Sequence, residues 1–150
     1  MTTLQQKPEA DAIRIGLLAG LFSKQDAINW ADLVIADTDK PCSEVLDLSM
    51  GDSLDGSAIA SLLSAVPGQA DLAFTKQLLL SRVRARLGKG KDQLASAVGA
   101  LNQLTSLLSF TDAEKQEIAK LGTSGDEAFA QAEKLLAAYA VAPEQTRLSL

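Results

Sequence analysis

Histidine is absent from the 150-residue chain, and cysteine occurs once, as Cys42. The missing histidine removes the commonest general base, the usual metal ligand and the Ser-His and Cys-His pairs that activate nucleophiles. A single cysteine cannot form an intrachain disulfide, which is compatible with a reducing compartment. We therefore predict a protein without catalytic activity that binds no cofactor and no metal ion.

Long hydrophobic runs are also missing. The most apolar stretch, from Ala10 to Asp37, is interrupted by Asp11 and Arg14, so it lacks the roughly 20 apolar residues that a membrane span needs. The first residues contain no basic segment followed by an apolar core, so no secretory signal is evident. We expect a cytoplasmic protein without a membrane-spanning helix.

Aromatic residues make up only 4% of the chain, whereas hydrophobic residues make up 47% and charged residues 22%. These proportions are typical of a folded globular protein. No segment shows the alternating pattern of a β-strand, and the apolar spacing predicts about eight helices joined by short connections. The predicted fold is an all-α, single-domain bundle over residues 1–150, with flexible tails at 1–8 and 144–150.

The stretch from Ala10 to Asp37 predicts the central helix pair of this bundle. Its first helix is apolar nearly all round, and Gly16 and Gly20 are spaced to lie on one face, where a neighbouring helix packs closely. Ser23 followed by Asp26 is typical of a helix start. Trp30 lies at the edge of the apolar arc of the second helix, which favours a core position over a role as a binding anchor.

Other helix boundaries follow from local signals. Thr111 and Glu114 form a predicted capping box, and Ser124 followed by Glu127 repeats the pattern. Gly88 is a predicted left-handed terminator of a helix that begins near Ala70. This helix is expected to bury Leu72, Leu79, Leu80, Val83 and Leu87.

The segment from Gly16 through Ala27-Ile28-Asn29-Trp30-Ala31-Asp32 to Ile35 resembles small uncharacterised bacterial helical proteins that carry a Trp-Ala-Asp helix near the N-terminus. The resemblance covers residues 13–37. It implies a bacterial, helical origin, and it implies no activity and no functional residues.

The first candidate site is a polar helix face. No charged residue occurs from Gln93 to Thr111. Uncharged polar side chains are cheap to desolvate, and interface cores are depleted in charge. We predict either partner binding or self-association here, and the alternative is a central helix that packs on both sides. The residues of this face are Ser96, Gly99, Asn102, Gln103 and Ser106.

The second candidate site is basic. Between residues 71 and 91 six cations oppose one acid, Asp71. Such a segment favours binding of nucleic acid or a phosphate ligand, or it only complements a helix dipole. The arginines are not aligned on one stripe and no aromatic is interleaved, and the chain carries a net charge of -5, so nucleic acid is disfavoured. The anion-binding candidates are Lys76, Arg82, Arg86, Lys89 and Lys91.

The first half of the chain is acidic, with ten acids between Glu9 and Asp55 against Lys7, Arg14, Lys24 and Lys40 between residues 7 and 55. Glu44, Asp47, Asp52 and Asp55 are close in sequence, but their spacing does not match a calcium-binding loop. An ordinary solvated surface is one interpretation, and a surface that faces a basic partner is another.

The resulting functional prediction is a bacterial protein-protein interaction protein, in its most concrete form an immunity-type or antitoxin-type inhibitor, or an adaptor. The partner is a protein of unknown identity or a second copy of the chain. Nucleic-acid or phosphate-ligand binding through the basic segment is the alternative, and a metal-dependent enzyme relying on carboxylates is the least favoured.

Overall fold

A computed structural model describes residues 5–139, 141, 145–148 and 150. This part of the chain contains eight α-helices and no β-strand, which confirms the all-α prediction. Two short 3-10 turns lie at Gly51–Ser53 and Lys91–Gln93. The helices are α1 (Gln6–Leu18), α2 (Lys24–Asp37), α3 (Ser43–Ser49), α4 (Gly56–Ala65), α5 (Leu72–Leu87), α6 (Leu94–Leu107), α7 (Asp112–Ala119) and α8 (Asp126–Leu136).

The described residues form two compact units. The first contains the residues up to Thr75 together with residues 145–148, and the second contains residues 76–139, 141 and 150. The boundary falls after the first turn of α5. The prediction of one domain over the whole chain stays a prediction.

In the first unit, α1 to α4 pack in sequence and α4 also packs against α1. Short connections make consecutive helices neighbours, as expected for a helical bundle. Trp30 is 1% exposed, which confirms its core position. The core side chains of this unit include Ile13, Leu21, Trp30, Val34, Val45, Leu48, Ile59 and Leu63.

The joint between α1 and α2 has defined caps at both helix ends. The Leu21 amide donates to the Gly16 carbonyl (2.7 Å), and Gly20 adopts φ +73° at the turn, as in a Schellman motif. Ser23 and Asp26 form a reciprocal capping box at the start of α2, as predicted. The prediction that Gly20 lies on a helix face is wrong, because α1 ends at Leu18 and Gly20 supplies the left-handed turn.

In the second unit, α6 packs against α7 and α8. The Thr111–Glu114 capping box at the start of α7 is confirmed. Ser124 does not cap α8, because the N-cap position is taken by Gly125 with φ +93° and no side-chain bond. The buried side chains of this unit include Leu78, Leu79, Leu80, Val83, Leu87, Leu94, Leu101, Leu104, Ile118 and Leu136.

Two predictions about α5 are wrong. Leu72 is 65% exposed, since it is the first helical residue and lies on the surface, whereas Leu78 is buried. Gly88 follows the last residue of α5 but does not adopt a positive φ; the positive φ (+143°) belongs to Gly90.

The structure describes part of the predicted flexible tails, and their flexibility stays a prediction. Gln6 to Pro8 belong to α1, and Pro8 is buried. Thr146 and Leu148 are buried in the first unit. Residues 1–4, 144 and 149 lie outside the described residues. None of the described helices is both long and apolar enough to cross a membrane.

Candidate functional site

The uncharged polar face of α6 lies at the surface. The five residues predicted for it, Ser96, Gly99, Asn102, Gln103 and Ser106, are all exposed. The opposite side of the helix is buried through Leu94, Ala97, Val98, Leu101 and Leu104. The helix therefore packs on one side, which contradicts the alternative that it is central and packed on both sides. We call the five exposed residues the α6 polar face.

Part of the hydrogen-bonding capacity near this face is used within the helix itself. The Asn102 side-chain amide donates to the Val98 carbonyl (3.0 Å), and the Thr105 hydroxyl donates to the Asn102 carbonyl (2.6 Å). A Cβ added at Gly99 would meet nothing within 4 Å. The surface here is uncharged and has no side chain at Gly99, and some of its polar groups are hydrogen-bonded within the helix. Covering it with a partner therefore leaves few polar groups unpaired.

Two of the five predicted anion-binding cations are paired with carboxylates. The Lys76 ammonium contacts both carboxylate oxygens of Glu114 (3.0 and 3.2 Å) and lies 4.2 Å from the centre of the Phe110 ring. The Lys91 ammonium lies 2.5 Å from a carboxylate oxygen of Asp126, and its hydrogen bond holds the pKa of Asp126 below the ordinary value. These pairs reduce the positive charge offered to a phosphate.

The other cations are differently placed. Arg86 Nη1 donates to the Ser96 hydroxyl (3.2 Å), so the structure brings one anion-binding candidate to the edge of the α6 polar face. Arg82 is half-buried on α5, and Lys89 is exposed in the connection that follows. The five candidate cations thus differ in exposure and in bonding partners.

Glu114 joins three elements of the second unit. It accepts from the Thr111 amide (2.9 Å), from Lys76 and from the Tyr139 hydroxyl (3.3 Å). The Thr111 amide is the main cause of the lowered pKa of Glu114, and Lys76 contributes. Burial and the nearby Glu114 raise the pKa of Tyr139. These contacts connect the start of α7 with α5 and with Tyr139, which follows α8, and they leave Lys76 committed to a structural role.

The acidic residues of the first half do not assemble into a metal site. Within the described ranges, no group of three or more acidic, Cys or His side chains is placed to hold a metal ion. Asp55 is the N-cap of α4 and accepts from the Ala58 amide (2.8 Å). The pKa of Glu44 is held below its ordinary value by hydrogen bonds from the Glu44 amide and from the Cys42 side chain.

An open groove of about 490 Å³ lies between α3 and α4. Its lining is mainly apolar and includes one acid, Asp47. No sequence pattern predicts it, because the residues come from two helices and the turn between them. The lining residues are Asp47, Met50, Leu54, Ala58, Ser61 and Leu62.

A buried carboxylate in the first unit was also missed by sequence reasoning. Glu9 is fully buried and accepts from Trp30 Nε1 (3.2 Å), from the Thr146 hydroxyl (2.5 Å), and from the backbone (2.7 Å) and Nη1 (2.8 Å) of Arg147. Arg147 also contacts Asp37 through Nε (3.1 Å). Since its partners are 21 to 138 residues away in sequence, no local pattern could reveal this cluster.

Comparison of the chain with protein-family models, curated proteins and solved structures finds no match. The resemblance of residues 13–37 to small bacterial proteins stays a prediction.

Proposed function

We propose that the protein is a non-catalytic protein-binding protein whose partner contacts the α6 polar face. The main support for this proposal is that all five predicted residues of this face are exposed on a helix whose other side is buried. Depletion of charge is the compositional mark of interface cores, and no charged residue occurs from Gln93 to Thr111. An inhibitor of the immunity or antitoxin type, or an adaptor, is the class that fits.

The dimensions of the face suit the centre of an interface rather than the whole of it. From Ser96 to Ser106 the helix rises about 15 Å, at 1.5 Å per residue. A standard interface buries about 800 Å² on each partner, so neighbouring side chains must also be covered. Arg86, bonded to Ser96, lies at the edge of this face.

The test is a charge placed in the middle of the face. Gly99→Arg introduces a long cation where a Cβ meets no neighbour, so the fold is retained. The matched control is Gln116→Arg, which adds the same charge at an exposed position on α7. Both variants and the wild type are used as bait in native cell lysate, and their oligomeric state is measured by light scattering.

We expect one stoichiometric protein partner with wild type and Gln116→Arg, and its loss with Gly99→Arg. A wild-type dimer that only Gly99→Arg dissociates would identify the partner as a second copy of the chain. Equal capture by all three proteins would overturn the assignment of the α6 polar face.

The alternative, nucleic-acid or phosphate-ligand binding through the basic segment, is less favoured. Lys76 and Lys91 are paired with Glu114 and Asp126, and Arg86 donates to Ser96. No observation favours it over protein binding.

A further inference from the structure

The groove between α3 and α4 carries an unusual amount of exposed apolar surface for so acidic a region. Met50, at the C-terminal end of α3, is 73% exposed, and Leu46, one helical turn earlier on the same side, is 41% exposed. Half-buried Leu54, Ala58 and Leu62 continue the apolar lining. Scattered exposed apolar residues are ordinary, but a contiguous set around a groove marks a binding surface.

The chain segment that forms this groove is acidic. The segment from Pro41 to Val66 contains four acids and no lysine or arginine. Asp47 lines the groove itself, and Asp52 and Asp55 flank Leu54 in the chain. Asp32 of α2 accepts a hydrogen bond from the Ser49 hydroxyl, next to Met50 in the chain.

Lys24, a cation that contacts the turn between α3 and α4, is already bound to the backbone. Lys24 donates from its ammonium to the carbonyls of Asp52 (2.5 Å) and Leu54 (3.3 Å). It therefore fixes the turn between α3 and α4 rather than pairing with the carboxylates of this segment.

The backbone of the turn between α3 and α4, at the end of the groove, is fixed in one conformation. Gly51 is buried so closely that a Cβ there would lie 3.0 Å from Ile59 Cδ1. The Met50 amide donates to the Asp47 carbonyl (3.2 Å), and the Leu54 amide donates to the Gly51 carbonyl (3.0 Å). Because the backbone around Met50 is fixed, a ligand need not order it, which favours binding.

We propose that this groove is the docking site for a basic amphipathic helix of a protein partner. The apolar side of such a helix, with anchors at i, i+3 or i+4 and i+7, would lie against Met50, Leu54 and Leu62. Its lysines and arginines would face Asp47, Asp52 and Asp55. The flexible, polarizable side chain of Met50 adapts to anchors of different shape.

This inference goes beyond the proposed function, since it concerns a different surface in the other compact unit. The charge of the partner helix decides which helix binds in the groove. An acidic or neutral helix would bury its apolar side equally well but would place no cation at the carboxylates, and electrostatic complementarity discriminates between partners more than it adds affinity.

The test uses a fluorescent 18-residue model helix with leucines at the anchor spacing and lysines elsewhere. Its matched probe replaces every lysine with glutamate, and a third peptide has the lysine version scrambled so that the apolar side is lost. Binding is measured by fluorescence anisotropy, and the contact surface is mapped by amide chemical shifts.

We expect binding of the lysine helix only, with shifts centred on residues 46–62. Met50→Ser should weaken this binding about tenfold, as for an anchor residue at an interface. The matched control is Leu18→Ser, which removes another strongly exposed apolar side chain of the same unit and should change nothing. Asp47→Asn/Asp52→Asn should weaken binding and flatten its salt dependence, whereas Asp39→Asn should not.

Equal binding of the glutamate helix would overturn the charge argument. Shifts located outside residues 46–62, or unchanged affinity of Met50→Ser, would overturn the site. A concentration-dependent dimer that Met50→Ser abolishes would show that a second copy, rather than a basic helix, covers the groove. None of these results depends on Gly99→Arg, so the two proposals fail separately.

Discussion

The side chain under the most severe electrostatic constraint is Glu9. A fully buried carboxylate is tolerated only when it is paired and hydrogen-bonded, and Glu9 has both through Arg147, Thr146 and Trp30. Replacing a buried ion pair by apolar residues is often neutral, but removing one member leaves an uncompensated charge. The cluster therefore makes the first unit depend on residues at the far end of the chain.

Arg147→Met is expected to lower the free energy of unfolding by about 3–5 kcal/mol, because Glu9 loses its cation while remaining buried. Urea denaturation monitored by Trp30 fluorescence measures the change. Lys115→Met, which removes an exposed cation on α7, should cost less than about 0.5 kcal/mol. The double variant Glu9→Leu/Arg147→Met should recover part of the loss. Equal effects of Arg147→Met and Lys115→Met would contradict a buried ion pair.

Glu114 supplies a pH dependence in the second unit. The Thr111 amide and Lys76 lower its pKa in the folded state from an ordinary value of 4.5. The folded state therefore favours the ionised carboxylate, and this contribution is present above pH 4.5 and lost as the pH falls through and below it.

Glu114→Gln retains an acceptor for the capping box but cannot ionise. We expect its stability to fall less steeply than that of wild type as the pH is lowered from about 5 to about 3. Parallel curves of melting temperature against pH for the two proteins would show that Glu114 contributes nothing to acid sensitivity.

At the scale of helices, two exposed glycines have opposite roles. Gly20 ends α1 with a positive φ, whereas Gly99 lies inside α6. A Cβ meets nothing within 4 Å at either position, so the difference comes from the backbone alone.

Gly20→Ala is expected to destabilise the protein by about 1 kcal/mol, because an L-residue is strained in the left-handed region. Gly99→Ala should stabilise it by about 0.5–1 kcal/mol, since alanine loses less backbone entropy in a helix. Denaturant midpoints compare the pair directly. The same sign for both substitutions would refute the assigned boundary of α1.

Helix starts were predictable where a side chain supplies the cap. Ser23 with Asp26 and Thr111 with Glu114 satisfy backbone amides through residues three apart, so the signal is contained in four positions. The start of α8 was missed because Gly125 offers only its backbone conformation. Leu72 was predicted to be buried because it fits the helical spacing of the buried residues. It is exposed because it lies in the first turn of α5.

For the whole molecule, charge is divided unequally between the compact units. Among the described residues, the first unit has eleven acids and five cations (5 - 11 = -6), and the second has seven acids and nine cations (9 - 7 = +2). A basic ligand is therefore attracted mainly to the first unit.

Despite the positive balance of the second unit, we expect negligible binding of a fluorescein-labelled single-stranded 20-mer at about 0.15 M salt. Of the five candidate cations, Lys76 and Lys91 are already paired with carboxylates, which reduces the positive charge offered to a phosphate track. Fluorescence anisotropy across a salt series tests this. A plot of log affinity against log salt with a slope near about -3.5, as expected for five neutralised phosphates, would support nucleic-acid binding instead.

The candidate surfaces were predictable to different degrees. The α6 polar face follows from helical periodicity alone, and its five residues are exposed in the structure. Predicting the apolar groove requires the angle between α3 and α4, and the sequence of either helix does not specify that angle. The Glu9 cluster depends on a contact between residues 138 positions apart, so no local sequence pattern could predict it.

The same contact sets an order of events during synthesis. At about 5–20 residues per second, Arg147 is made roughly 7–30 s after Glu9. During that interval a nascent α1 carries a carboxylate that its helical neighbours cannot neutralise. The N-terminal helices must therefore wait for Thr146 and Arg147 before they reach their final stability, and a ribosome that stalls before Arg147 would hold them in an incompletely folded state.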